Sequence, residues 1–305
     1  MKANRNALLF VPMLLLFWGP AAQALSLDDL EEQLKSDYLD KILTLRHSYK
    51  GKHLSFRSDG SVSGKSDLGP WTVDGQIFVE RIKLGDHHLQ IRGRRICLVF
   101  NSKTNSYYDV LQWLAESDVD GRDKIERAFH EKEVEIEIAL DSDQPDAQAI
   151  SAAMGAVFLK PGESIEDFVP GFWRSYFDRI AGRPLSSEKS AEPVYTVKPG
   201  EVSPPHQTYS PDPSFSDDAR LAKYQGTMVV SVVIDRAGQA RDVRIVTPIG
   251  LGLDENAVEG KFLEVSACDE GRSPGLSAGD GGSVFQFVLN LVLDLSCEQF
   301  ATFFR

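Results

Sequence analysis

Hydrophobic positions divide the chain into stretches of distinct period. Residues 7–19, ALLFVPMLLLFWG, form an apolar run preceded by the basic Lys2 and Arg5 and followed by Pro20 and the small-residue triplet Ala22-Gln23-Ala24. A basic start, an apolar core and a small-residue site make up a secretory signal, with Ala22 and Ala24 as the cleavage-site residues. The run is shorter than the ~20 residues that span hydrocarbon, and Pro12 disfavours a permanent helix. Residues 1–24 are therefore expected to be removed, leaving an extracytoplasmic chain from Leu25 without a permanent transmembrane anchor. An uncleaved anchor is the alternative.

Residues 26–46 carry a helical period. Ser26 is placed to cap, acids follow it, and Leu30, Leu34, Leu39, Ile42 and Leu43 fall on one face. The period then changes to two, predicting strands at His53–Phe56, Gln76–Leu84, His88–Arg92, Ile96–Phe100 and Glu133–Leu140. Turn signals separate the first four of these: Ser58-Asp59-Gly60, Val73-Asp74-Gly75, Gly85-Asp86 and Asn101–Asn105. Residues 145–158 and 165–181 read as helices. Residues 25–183 are thus expected to form a strand-rich domain of unknown function with flanking helices.

Residues 184–213 hold seven of the fifteen prolines and show no apolar period, the pattern of a semi-extended linker. Beyond it the periods return. A short helix is predicted over Asp217–Tyr224 and a strand over Gly226–Ile234, whose two apolar faces both require cover. A turn at Asp235–Gly238, a second strand over Ala240–Val246 and a helix capped by Asp254 follow. The fold class is α+β, with a helix/β-hairpin/helix unit filling residues 214–305.

The formal charge of −12 becomes −14 without the first 24 residues, whose only charges are Lys2 and Arg5. Such a balance argues against nucleic acid as a partner, because phosphates repel it. Cys97, Cys268 and Cys297 cannot all pair, so no disulfide framework is implied.

The segment Tyr209–Glu259 resembles the TonB C-terminal domain. The family pattern is a Tyr-Pro, a helical Ala, Gly-x-Val-x-Val, an Asp-x-x-Gly hairpin and Leu-Asp-x-x-Ala. Here Ala219, Gly226, Val229, Asp235, Gly238, Leu253, Asp254 and Ala257 occupy those places. Phe215-Ser216 replaces the Tyr-Pro. Structural roles suit all of them: Gly226 for a sharp turn from helix to strand, Asp235 and Gly238 for the hairpin, Leu253 and Ala257 for sealing the sheet. The resemblance implies capture of a receptor peptide as an added strand. The implied partner is an outer-membrane receptor or another periplasmic protein, within TonB-dependent transmembrane transport. A family member that transduces energy keeps a transmembrane anchor, which the cleavable signal here would remove.

After Glu259 the resemblance stops. Back-translating Ala267–Arg272 and advancing one nucleotide permits Pro-Ala-Thr-Lys-Asp-Gly. Continuing across Phe262–Asn290, permitted codons give SWKFQPATKDGHPVSAQVMVEVSFNLY and a stop. That is the family's missing helix end, turn and last strand, in order. A one-base frameshift near Glu259–Lys261 is the expected explanation, by sequencing error or mutation, so residues 260–305 are out of frame and the last strand of the domain is disrupted. In the printed frame, Val284–Leu295 is apolar enough to pair loosely as a strand, or to aggregate.

Other constellations carry less. His87-His88 sits at a turn without companions for a metal. Asp235, Asp242 and Asp254 read as turn, surface and cap. No Gly-x-Ser-x-Gly elbow is present. Ala278–Ser283 lacks the strand and lysine of a phosphate loop. No catalytic residue, cofactor site or metal site is predicted, and the expectation is a non-enzymatic periplasmic binding protein. The alternatives are a small-ligand carrier or enzyme acting through residues 25–183, and a non-functional frameshifted product. Mass spectrometry of the protein from its own host is expected to show an N-terminus at Leu25 and tail peptides reading Pro-Ala-Thr-Lys-Asp-Gly. Peptides spanning Ala267–Arg272 in the printed order would rule out a sequencing error.

Overall fold

The computed structural model describes residues 26–142, 145–184, 194–196, 206–209, 215–234, 240–259, 264–266 and 286–295. In chain order the elements are α1 (Leu27–Tyr38), β1 (Ile42–Thr44), β2 (His53–Phe56), α2 (Trp71–Asp74), β3 (Gln76–Leu84), β4 (His88–Ile96), β5 (Leu98–Asn101), β6 (Ser106–Asp109), α3 (Val110–Glu116), α4 (Arg122–His130), β7 (Glu133–Ala139) and α5 (Ala147–Val157). Two 3-10 turns, Ile165–Asp167 and Gly171–Trp173, lead to α6 (Arg174–Ile180). The remainder comprises β8 (Val194–Thr196), β9 (His206–Tyr209), α7 (Asp217–Ala222), β10 (Gly226–Ile234), β11 (Ala240–Thr247), α8 (Leu253–Glu259), β12 (Glu264–Ser266) and β13 (Gln286–Leu295). The class is α+β.

The first sheet has the order β1-β3-β4-β7-β2. Alternation in its strands builds a single apolar face, with Ile77, Val79, Leu89, Ile91, Val134, Ile136 and Ile138 all buried. That face is covered by Leu30 and Leu34 of α1 and by Ile150, Ala153, Met154 and Val157 of α5. Ser26 and Asp29 form a reciprocal capping box on α1, and Asp146 caps α5 by accepting from Ala149 N at 2.7 Å. The helix predicted over 26–46 stops at Tyr38. Asp40 takes a left-handed φ of 57°, and Ile42–Thr44 instead adds an edge strand to β3. The helix predicted over 165–181 is broken, because Pro170 lies inside it and splits it into two turns and α6.

The chain leaves the first core along β4. Arg95 is buried at the crossing and donates to the carbonyls of Asp74, of Tyr49 at 2.8 Å and of Gly51 at 3.0 Å. From Ile96 onward the side chains enter a second core. This core joins residues far apart in sequence: Trp71, Cys97, Val99, Leu114, Phe129 and Trp173 with Ala219, Met228, Val230, Ile245, Leu253 and Ala257. The helix/hairpin/helix unit therefore shares one interior with the residues that precede the proline-rich stretch.

The second sheet has the order β11-β10-β13-β8. On β10, Met228, Val230 and Val232 are buried while Val229 is half-buried. The apolar run Val284–Leu295 supplies β13, which pairs antiparallel with β10 from Gly226↔Leu295 to Ile234↔Phe287. Within the stretch expected to be a semi-extended linker, β8 pairs parallel with β13 and β9 pairs antiparallel with β12. The rest of that stretch lies outside the described residues.

One residue makes the join between the two sequence-distant parts stereochemically demanding. Gly250 has φ +99° and forms an isolated antiparallel bridge with Val99, and a Cβ there would press into the Leu98 carbonyl. We expect Gly250→Ala to cost about 1–3 kcal/mol from backbone strain, with further loss from the clash. Urea denaturation checks this. Gly51→Ala, also at positive φ but in open space, should cost clearly less.

Candidate functional site

The most chemically specific region is the seam where residues 249–252 enter the second core. A buried backbone must satisfy each N–H and C=O, and here every group does so. Ile249 N and Gly250 N donate to the two carboxylate oxygens of Asp254, at 2.8 and 2.7 Å. Leu251 N donates to Leu98 O at 2.8 Å and Gly252 N to Thr72 Oγ1 at 3.0 Å. Ile249 O accepts from Phe100 N at 2.9 Å and from the Tyr224 hydroxyl at 3.1 Å. Gly250 O accepts from Leu253 N at 3.1 Å, Gly252 O from Asn256 N at 3.4 Å, and Leu251 O from the Ser216 hydroxyl. Ser216 also caps α7, accepting from Ala219 N at 3.0 Å. The residue that departs from the family's Tyr-Pro thus ties two elements together.

Beside this loop stands an aromatic box. Trp71 lies edge-on to Tyr107 and Trp173, with centroids 4.9 and 5.4 Å apart, and Tyr107 meets Phe100 at 5.1 Å. The Trp173 indole donates to Glu255 Oε1 at 3.2 Å. Glu255 is 6% exposed, and its second oxygen has no hydrogen-bond partner among the described residues. Burial, and then the neighbouring Asp254 carboxylate, push Glu255 well above the usual carboxylic range. Burial raises Asp254 as well, partly offset by its two amide donors. At the rim, Lys132 of the β7 approach pairs with Asp218 of α7. Burial is the largest influence on the Lys132 ammonium and opposes it, but Asp218 together with Cys97 and Asp74 holds the group above the ordinary lysine value.

The predicted residues fall as follows. Ala219, Leu253 and Ala257 are fully buried in the second core. Gly226 opens β10 without a positive φ. The sharp turn from α7 is made instead by Lys223, at φ 53°, and Gly226 leaves room for Ile249, whose Cδ1 would lie 2.8 Å from a Cβ. Val229 pairs with Thr247 on β11 and with Val292 on β13. Asp254 lies inside α8 rather than ahead of it, because Leu253 already begins the helix, and it holds the preceding loop. Asp242 is exposed beside Arg244, with Oδ2 2.7 Å from the guanidinium. Asp235, Gly238, Ala22 and Ala24, with Cys268 and Cys297, lie outside the described residues. Cys97 is buried, and burial pushes its thiol up, away from nucleophilic chemistry. The sequence marks none of Trp71, Tyr107, Trp173 and Glu255 as a site residue: Trp173 reads with Phe177 and Ile180 as one face of the helix expected over 165–181, and Glu255 as the start of the last helix.

A groove of about 130 Å³ between α1 and α5, lined by Leu30, Leu34, Tyr38 and Ile150, lies on the other core. No described helix is long and apolar enough to cross a membrane.

Residues 211–260 match the family described as Gram-negative bacterial TonB protein C-terminal, so the chain carries a domain segment of the TonB C-terminal family. No curated protein and no solved structure matches the chain.

Asp254→Ala would strand two buried amides, at about 1–3 kcal/mol each. We expect it to lower the urea midpoint markedly, whereas Asp254→Asn, which keeps one acceptor oxygen, should recover a substantial part of the loss. Equal losses in the two variants would contradict the role given to the carboxylate.

Proposed function

We propose that this is a non-enzymatic periplasmic protein that binds an outer-membrane receptor, or another periplasmic protein, through its TonB-like segment by accepting an added strand. The match over residues 211–260, together with a helix, hairpin and helix in the family's order, carries the reading. The exported character expected of residues 1–24 agrees with it. So does the use of the groups most capable of chemistry: Asp254 holds backbone amides and Cys97 is sealed in the core. Strand addition relies on backbone pairing, which explains why few side chains identify such a surface.

The direct test is calorimetric titration of the mature chain with the periplasm-facing N-terminal peptide of an outer-membrane receptor from the same host. Binding is expected, and a proline at the centre of the peptide should weaken it by about tenfold or more, since proline removes a ladder N–H. Equal affinity for both peptides would exclude strand addition, and absence of binding across the host's receptors would overturn receptor recognition.

A further inference from the structure

The Trp173–Glu255 contact joins two parts of the chain that the proline-rich stretch separates in sequence. On one side stand the 3-10 turn Gly171–Trp173, α6, β6 and α2. On the other stand α8 and the loop before it. The contact lies inside the core rather than at its rim, and Glu255 has one oxygen on an indole and the other without a partner among the described residues. A carboxylate in that position would be a bare charge in an aromatic box, while a carboxylic acid is tolerated there.

We propose that the seam is a proton-held latch: with Glu255 protonated, residues 25–183 and the TonB-like segment stay docked, and ionisation of Glu255 opens the seam. This inference does not depend on receptor binding.

Among the described residues, the groups facing Glu255 compensate its charge only weakly, through the Trp173 indole and its own backbone N–H. On its own helix, Asp254 and Glu259 add negative charge. Trp173 offers one neutral donor. Tyr107 of β6 is half-buried with its hydroxyl sealed from solvent, and that burial, with Asp254, Tyr176 and Glu255 nearby, keeps the phenol protonated. On α6, Asp178 is engaged by Arg183 at 2.8 Å, and Arg179 lies over the Tyr176 ring. Asp74 of α2 faces Arg95 at 3.6 Å. Neither Asp254 nor Glu255 pairs with a cation among the described residues.

The direction follows from linkage. Undocked, Glu255 would meet water and titrate in the ordinary carboxyl range. Docked, it holds its proton to higher pH. The docked state therefore binds more protons, is fully favoured below the ordinary range, and weakens as pH rises from that range through the docked value.

Native-state hydrogen exchange on the mature full chain, from about pH 5 to about pH 9, reads the latch. The Phe100, Leu251 and Gly252 amides bridge the seam, and the Ile91 and Ile136 amides of the first sheet serve as internal references. After correction for intrinsic exchange, we expect seam protection to fall by about tenfold or more relative to the references. Glu255→Gln keeps an acceptor for Trp173 but cannot ionise, and should remove most of the fall, leaving only the part that Asp254, also raised by burial, contributes. Trp173→Phe removes the indole donor to the ionised form and should steepen the loss. Glu133→Gln, on an exposed site, should behave as wild type. A pH-independent seam in wild type, or an unchanged pH response in Glu255→Gln, would overturn the proposal. If Glu255→Gln loses its near-ultraviolet circular dichroism, the Trp173→Phe response decides alone, and a wild-type-like response there overturns the latch.

Discussion

The need to satisfy a buried backbone dictates how the two halves of this protein meet. Residues 249–252 run through an apolar interior with four amides and four carbonyls, and a lost partner for any of them would cost about 1–3 kcal/mol. The partners come from α2, β5, α7 and α8 together with Tyr224. No single supersecondary unit could supply them all. Gly250 is required because the Leu98 carbonyl occupies the space of a side chain. Asp254 is required because one carboxylate serves two adjacent amides. Leu253 and Ala257, expected to seal the TonB-like sheet, face an interior that also contains Trp71 and Trp173. The TonB-like segment and residues 25–183 are consequently bound by shared core as well as by covalent connection.

That arrangement changes what the proline-rich stretch does. Fully extended, 30 residues could reach roughly 90 Å, a spacing suited to a module on a tether. The elements before and after it nevertheless form one hydrophobic cluster. The stretch closes a loop on a docked structure, and loop closure grows only logarithmically more costly with length. Lys132–Asp218, and Lys223 donating to Asp120 O at 2.8 Å, border the seam and favour one docking geometry over others. Their energetic weight is modest where solvent reaches them.

The legible part of the fold is the part governed by period. Alternation in Gln76–Leu84 and Glu133–Leu140 specifies strands with one apolar face, and both form, the second ending one residue earlier at Ala139. The capping chemistry of Ser26 also appears as read. What escaped is set by tertiary context. Residues 106–130 mix polar and aromatic positions, yet Ile125 and Phe129 form a short stripe that becomes the buried face of α4. Arg95 looks like another surface charge in a basic strand, and only the fold places three carbonyls around it. Glu255 looks like a favourable acid in the first turn of a helix. Its burial comes from Trp173, 82 residues away, a contact no local pattern encodes. The family resemblance located the segment but described it as a free-standing unit, because its pattern holds no information about residues 25–183.

A buried carboxyl is seldom the most stable choice for such a site, since well-packed apolar residues often match or exceed a buried polar contact. The surroundings of Asp254 and Glu255 separate two reasons for keeping one. Asp254 is a structural acid: both of its oxygens are used, and a neutral isostere could not accept from both amides. Glu255 has no comparable duty. Its hydrogen bond with Trp173 could be made by glutamine without burying an ionisable group. Packing alone accounts for Asp254 and leaves Glu255 unexplained. A side chain whose added property over its nearest isostere is the ability to lose a proton, placed where loss of that proton disfavours docking, has the character of a control element.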